Sequence, residues 1–127
     1  MTDRTGSENR LYPLAERLDE GLLTRAQAVL EDVARRRTAI SYSELGDAVP
    51  GVGRRGRKIG AVLEVLGRRS LAQHGALITV LVVNKGSGLP SDGFYDLLRD
   101  LRPELSGDQT TLARHERERV YRTYPLS

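Results

Sequence analysis

The chain has 127 residues, 39% of them hydrophobic and 29% charged, with a formal net charge of +3. Those proportions describe one folded domain large enough to bury its own core, and they exclude a disordered chain. There is no cysteine, which excludes disulfides, thiolate metal sites and a cysteine nucleophile.

Residues 1–10 (MTDRTGSENR) are polar and lack the apolar stretch of a signal peptide. They are expected to form a flexible N-terminus, with residues 11–127 making a single domain. No apolar run reaches the roughly 20 residues that span a bilayer, so no membrane partner is expected and the cytoplasm is the expected location. Leu14, Leu18 and Leu22 recur at helical spacing but Gly21 intervenes, so a first helix is expected to end near Glu20. Thr24 is then the expected N-cap of a second helix with apolar positions Ala26, Val29, Leu30, Val33 and Ala34. Arg35, Arg36 and Arg37 close it, cations suited to the negative end of a helix dipole.

Ile40 is expected to pair as a very short strand. Ser41 and Glu44 form a capping box opening a helix over residues 42–49, which Pro50, Gly51 and Gly53 stop. The next helix starts between Arg54 and Arg57 and buries Ile59, Val62, Leu63 and Leu66, leaving Arg57, Ala61, Glu64 and Arg68 on its other face. Gly60 and Ala61 are small enough to permit close approach. Residues 76–84 (ALITVLVVN) read as a buried strand. Residues 85–93 (KGSGLPSDG) read as a turn, the tip of a wing. Phe94, Leu97, Leu98 and Leu101 mark a helix begun near Ser91 or Asp92 and ended by Pro103. After a polar loop, residues 110–121 form a charged helix in which Glu116 and Glu118 alternate with arginines on an exposed, ion-paired surface. Tyr121 and Tyr124 pin it to the core.

Helix, helix, basic helix, strand and glycine-rich hairpin is the order of a winged helix-turn-helix. The expected fold is therefore α+β and mostly helical, with a small sheet or hairpin and a C-terminal helix. Between Arg54 and Arg69 six cations face one acid, Glu64, a segregated patch that points to a polyanion partner. Duplex DNA is the expected partner and RNA the second. Arg54, Arg55, Ser41 and Tyr42 are assigned to phosphates, and Arg57, Lys58 and Arg68 to base edges. Arg69 completes the patch, and Lys85 adds a backbone contact from the wing. A regulatory, sensing, or defence or mobile-element accessory role would follow, with no catalytic residue, metal or cofactor. Two other classes stay open. One is a module that docks on an acidic protein; the other is a small metal-dependent nuclease using Asp92, Lys85, His74 or Glu116.

Ser41-Tyr42-Ser43-Glu44-Leu45-Gly46, followed by Arg57-Lys58-Ile59-Gly60 and Val65-Leu66-Gly67, resembles the DNA-binding half of the alkylguanine alkyltransferases and alkyltransferase-like proteins. The likeness covers about thirty residues. It implies that Tyr42 presses on a phosphate beside a distorted nucleotide and that Arg57 fills the gap in the base stack. That family carries Pro-Cys-His-Arg after the recognition helix, whereas this chain has ITVLVV, with Thr79 or a neighbour in the cysteine's place. Without the thiolate no alkyl group is transferred, and the resemblance implies DNA binding alone. Residues 81–94 (LVVNKGSGLPSDGF), with Glu118 to Tyr121, also resemble a segment of uncharacterised bacterial and phage proteins. This second likeness implies a fixed turn in which Gly88 and Gly93 permit positive φ and Pro90 stiffens the path.

Overall fold

Apolar residues at helical spacing produce five α-helices in a computed structural model that describes residues 18–53 and 56–124. Helix α1 runs over Glu20–Arg35 and buries Leu22, Leu23, Ala26, Leu30, Val33 and Ala34. Its N-cap is Asp19, so Thr24 lies inside the helix and Glu20 begins a helix where one was expected to end. Packing decides this. Two buried leucines directly after Gly21 outweigh the roughly 1 kcal/mol that glycine costs within a helix. Residues 11–17 of the expected first helix lie outside the described residues, as does all of the expected flexible N-terminus.

At the far end of α1, Arg35 and Arg36 pair with Glu31 and Asp32 one turn back. Arg37 adopts the left-handed conformation at φ 57°. Its guanidinium donates to the carbonyls of Ala34 at 3.0 Å and Tyr124 at 2.7 Å and lies over the Tyr121 ring. The Tyr121 hydroxyl in turn donates to the Thr38 carbonyl at 2.8 Å. The first and last described helices are thus joined at their C-terminal ends.

Strand β1 (Ile40–Ser41) leads directly into α2 (Tyr42–Ala48). The capping box forms as the sequence indicates: Ser41 Oγ accepts from Glu44 N at 3.1 Å, and Glu44 Oε1 accepts from Ser41 N at 2.9 Å. Helix α3 spans Arg57–His74 between Gly56 at φ 101° and Gly75 at φ 74°, backbone angles that a side chain would strain. It buries Ile59, Val62 and Leu66, while Leu63 is half-buried. Ala61, expected on the outer face, is fully buried, because α3 is packed on more than one side.

The segment expected to be one long strand is something else. Ile78–Leu81 forms a 3₁₀ turn, and only Val82–Val83 extends as β2, pairing in parallel with β1 in the register Ile40↔Val82 and Ser41↔Val83. Residues 76–83 are all buried, so the apolar run is explained by burial on every side rather than by membership of a wide sheet. Among the described residues the sheet has these two strands. No antiparallel hairpin follows. Residues 84–89 instead close a compact turn, with Asn84 N donating to Leu89 O and Gly88 N to Asn84 O, both at 2.8 Å. Gly88 takes φ 72°, whereas Gly93 lies within the next helix.

Helix α4 (Asp92–Leu101) buries Phe94, Tyr95, Leu97 and Leu98, and α5 (Gln109–Thr123) starts from Asp108, whose side chain accepts from Thr111 N. Tyr124 enters the core, with Tyr121 packed against it. Glu116, expected on an exposed face, is only 1% exposed. Its Oε2 accepts from Leu77 N at 2.8 Å and pairs with Arg102 at 3.3 Å.

Removing one member of a buried pair leaves an unpaired charge, so Glu116→Ala is expected to lower unfolding free energy by about 3 kcal/mol. Glu118→Ala, by contrast, should have little effect; urea denaturation compares them. Hydrogen bonds from the Ser41 backbone and side chain hold the Glu44 carboxyl below its ordinary value, and those from the Thr111 backbone and side chain do the same for Asp108. A depressed carboxyl stabilises the fold above its unfolded pKa and loses that contribution as pH falls through the folded value. Thermal melts should therefore decline as acid passes through and below the ordinary carboxylate range, less steeply in Glu44→Gln and Asp108→Asn.

Candidate functional site

The capping box that starts α2 also places Tyr42 beside Ser91, the N-cap of α4. The Tyr42 hydroxyl donates to Ser91 Oγ at 2.8 Å and accepts from Ser91 N at 3.1 Å. This link holds the start of α2 against the start of α4. Helix α3 approaches the same place with the face carrying Gly56, Ile59, Gly60, Leu63 and Glu64, residues three and four apart. Between these elements lies an open cavity of about 520 Å³. Ile59, Leu63, Val83, Phe94 and Leu97 supply apolar wall, while Thr79, Asn84 and Lys85 add polar groups.

Gly60 leaves the cavity open, since a Cβ placed there would meet nothing within 4 Å. Gly67, two turns on, is different. A Cβ there would lie 3.0 Å from Leu97 Cδ2 and 3.2 Å from Thr79 Oγ1, so this glycine lets the 3₁₀ turn and α4 pack closely against α3. Thr79 is 4% exposed.

The expected cationic patch separates into two halves. Arg57 and Lys58 are exposed at the start of α3, Lys85 is exposed beside the cavity, and none of the three forms an ion pair with a described residue. Arg57 shares a helical face with Gly60 and Glu64 and follows Gly56 of the cavity wall without lining the cavity itself, whereas Lys58 projects from another side. Lys85 is close enough for its charge to favour the Glu44 carboxylate. At the other end of α3, acids occupy the arginines. Arg68 pairs with Glu64 at 3.1 Å and Asp100 at 3.3 Å, and Arg69 binds both carboxylate oxygens of Glu20, at 2.8 and 3.3 Å. Arg54 and Arg55 lie outside the described residues.

Two other expected contacts have internal roles. Ser41 is 6% exposed and closed within its capping box, and the Tyr42 proton is given to Ser91. Tyr42 therefore has no free donor for a phosphate, and Ser41 is buried. Among the described residues, no three His, Cys, Asp or Glu side chains are grouped to hold a metal ion. Of the nuclease candidates, Glu116 is buried against Arg102, while His74 is exposed and packs edge-on against Tyr124.

Sequence reading did not assemble the cavity, because its walls come from α2, α3, β2, the 84–89 turn and α4. A lone threonine inside ALITVLVV and the small Gly60 on an otherwise apolar face were the local signals of it. Comparisons with protein families, curated proteins and solved structures find no match. No helix among the described residues is long and apolar enough to cross a membrane.

The two α3 glycines should respond oppositely to alanine. Gly60→Ala is expected to raise stability by about 0.5–1 kcal/mol through helix propensity alone. Gly67→Ala should lower it by about 1–3 kcal/mol through overpacking, and the two are distinguished by chemical denaturation midpoints.

Proposed function

We propose that this protein binds nucleic acid, duplex DNA foremost and RNA second, and that one base leaves the stack to enter the cavity between α2, α3 and α4. The observation that carries this reading is the position of the cavity: exposed Lys85 lines it and exposed Arg57 directly follows Gly56 of its wall, and no described acid neutralises either cation by an ion pair. Backbone N–H groups at the start of α3 add to the attraction, because the N-cap is Gly56 and no side chain caps them. The volume of about 520 Å³ lies within the roughly 300–1,000 Å³ of small-ligand sites. Apolar walls with a few polar groups suit a flipped base, whose flat faces need contact and whose edge needs hydrogen bonds.

In this reading α2 and α3 act as the helix-turn-helix pair of a reduced winged helix, and the 84–89 turn replaces the hairpin wing. Arg57, next to Gly56 of the cavity wall, is the guanidinium that would occupy the space left by a departed base. Lys58 and Lys85 lie along the flanking backbone, with Arg54 and Arg55 preceding them in sequence. The proposed kinship with the alkyltransferase-like proteins is compatible with the same arrangement: Thr79 or a neighbour takes the place of the reactive cysteine, so the cavity would receive a base and remove nothing from it. Arg68 and Arg69 are left out of the interface because they are ion-paired.

Fluorescence anisotropy with duplex DNA, single-stranded DNA and RNA at two salt concentrations tests the proposal. Arg57→Ala and Lys85→Ala are expected to weaken duplex binding and each to reduce the salt slope by about one. Arg69→Ala should bind like the wild type. Equal binding by all variants, or no binding to any nucleic acid, would sink the assignment.

A further inference from the structure

Thr79 lines the cavity, and its hydroxyl takes no part in holding the fold. It is 4% exposed and its hydroxyl has no hydrogen-bond partner among the described residues. Its neighbours differ. Ser70, one turn from Gly67 on α3, donates to the Ala76 carbonyl and accepts from Ile78 N at 3.1 Å. Glu64 is held by Arg68, and Ser41 by Glu44. A threonine in a helical turn can normally turn its hydroxyl back to a carbonyl of the preceding turn. Here Ala76 O, three residues before Thr79, already accepts from Ser70.

That hydroxyl is not one of the sealed, unpartnered polar atoms among the described residues, which are Arg102 Nε and Tyr124 OH, so it stays open to the cavity. Beside Leu77, Leu97 and Gly67 it offers a ligand a donor and an acceptor that no described group occupies. We propose that Thr79 is the specificity-determining residue of the cavity, its Oγ1 hydrogen-bonding to a polar substituent on the inner edge of the bound base. This rests on the reading of the cavity as a base site. Amino-bearing bases are then preferred over bases that present only C–H at that edge. A site built around a hydrogen bond rejects an analogue lacking it, because its own polar group is then left unpaired.

The test uses the full chain and duplexes with a single-base bulge filled by adenine, 2-aminopurine or unsubstituted purine, together with a fully paired duplex. Wild type is expected to bind at least one amino-bearing bulge about tenfold more tightly than the purine bulge. Thr79→Ser should keep that ratio. Thr79→Val should bring it within twofold of unity while melting no lower than wild type. An unchanged ratio in Thr79→Val, no ratio in wild type, or a marked fall in the melting temperature of Thr79→Val would each overturn the role of Thr79. The underlying reading is scored separately: it fails if bulged and paired duplexes bind equally and if Gly60→Leu, which fills open space in the cavity, leaves bulge binding unchanged.

Discussion

The fold depends on satisfying the backbone of residues 76–83, a segment buried on all sides but only briefly paired in a sheet. Buried N–H and C=O groups without partners are costly, and a strand two residues long cannot supply enough of them. Side chains from opposite directions complete the set. Ser70 on α3 bonds both Ala76 O and Ile78 N, while Glu116 on α5 bonds Leu77 N. The 3₁₀ turn adds its own bonds, Val80 N to Leu77 O and Val82 N to Thr79 O. Two polar residues in helices that are otherwise packed by hydrocarbon therefore fix where the central segment lies.

That placement determines the cavity. Once the 3₁₀ turn is anchored against α3, Gly67 allows contact and Thr79 reaches the cavity, while β2 delivers Asn84 and Lys85 to its edge. The pairing of β1 with β2 sets α2 immediately beside this edge, because α2 begins at the residue after β1. The Tyr42–Ser91 link then closes the arrangement from the side of α4. Electrostatics follows from the same geometry: Arg68 and Arg69 in the far half of α3 meet Asp100 and Glu20, while Arg57 and Lys58 at its start face solvent.

What was legible in the sequence was local. The Ser41 and Glu44 box, the start of α3, the buried face of α1 and the anchoring tyrosines all follow from spacings of a few residues. The strand expected over residues 76–84 failed because β-branched runs signal burial as well as extension, and the partners that made a 3₁₀ turn possible are remote in sequence. Gly21 and Thr24 misled for a related reason, since tertiary burial of Leu22 and Leu23 overrode a local breaker. For the site, the exposed cations Arg57, Lys58 and Lys85 and the one-turn pair of Glu64 with Arg68 are legible from spacing, but Asp100, which also holds Arg68, and Glu20, which holds Arg69, lie 32 and 49 residues away. No periodicity in α3 reports on them.

The stitching of the two ends has a consequence for how the molecule is made. Glu116 serves Leu77, Tyr121 serves Thr38, and Arg37 reaches Tyr124 across 87 residues of chain. Contacts so distant in sequence form only after the intervening loop has closed, which makes them late events. During vectorial synthesis α1 and the apolar 76–83 stretch leave the ribosome before α5 exists to cover them, so their apolar surface stays open to wrong contacts until α5 emerges.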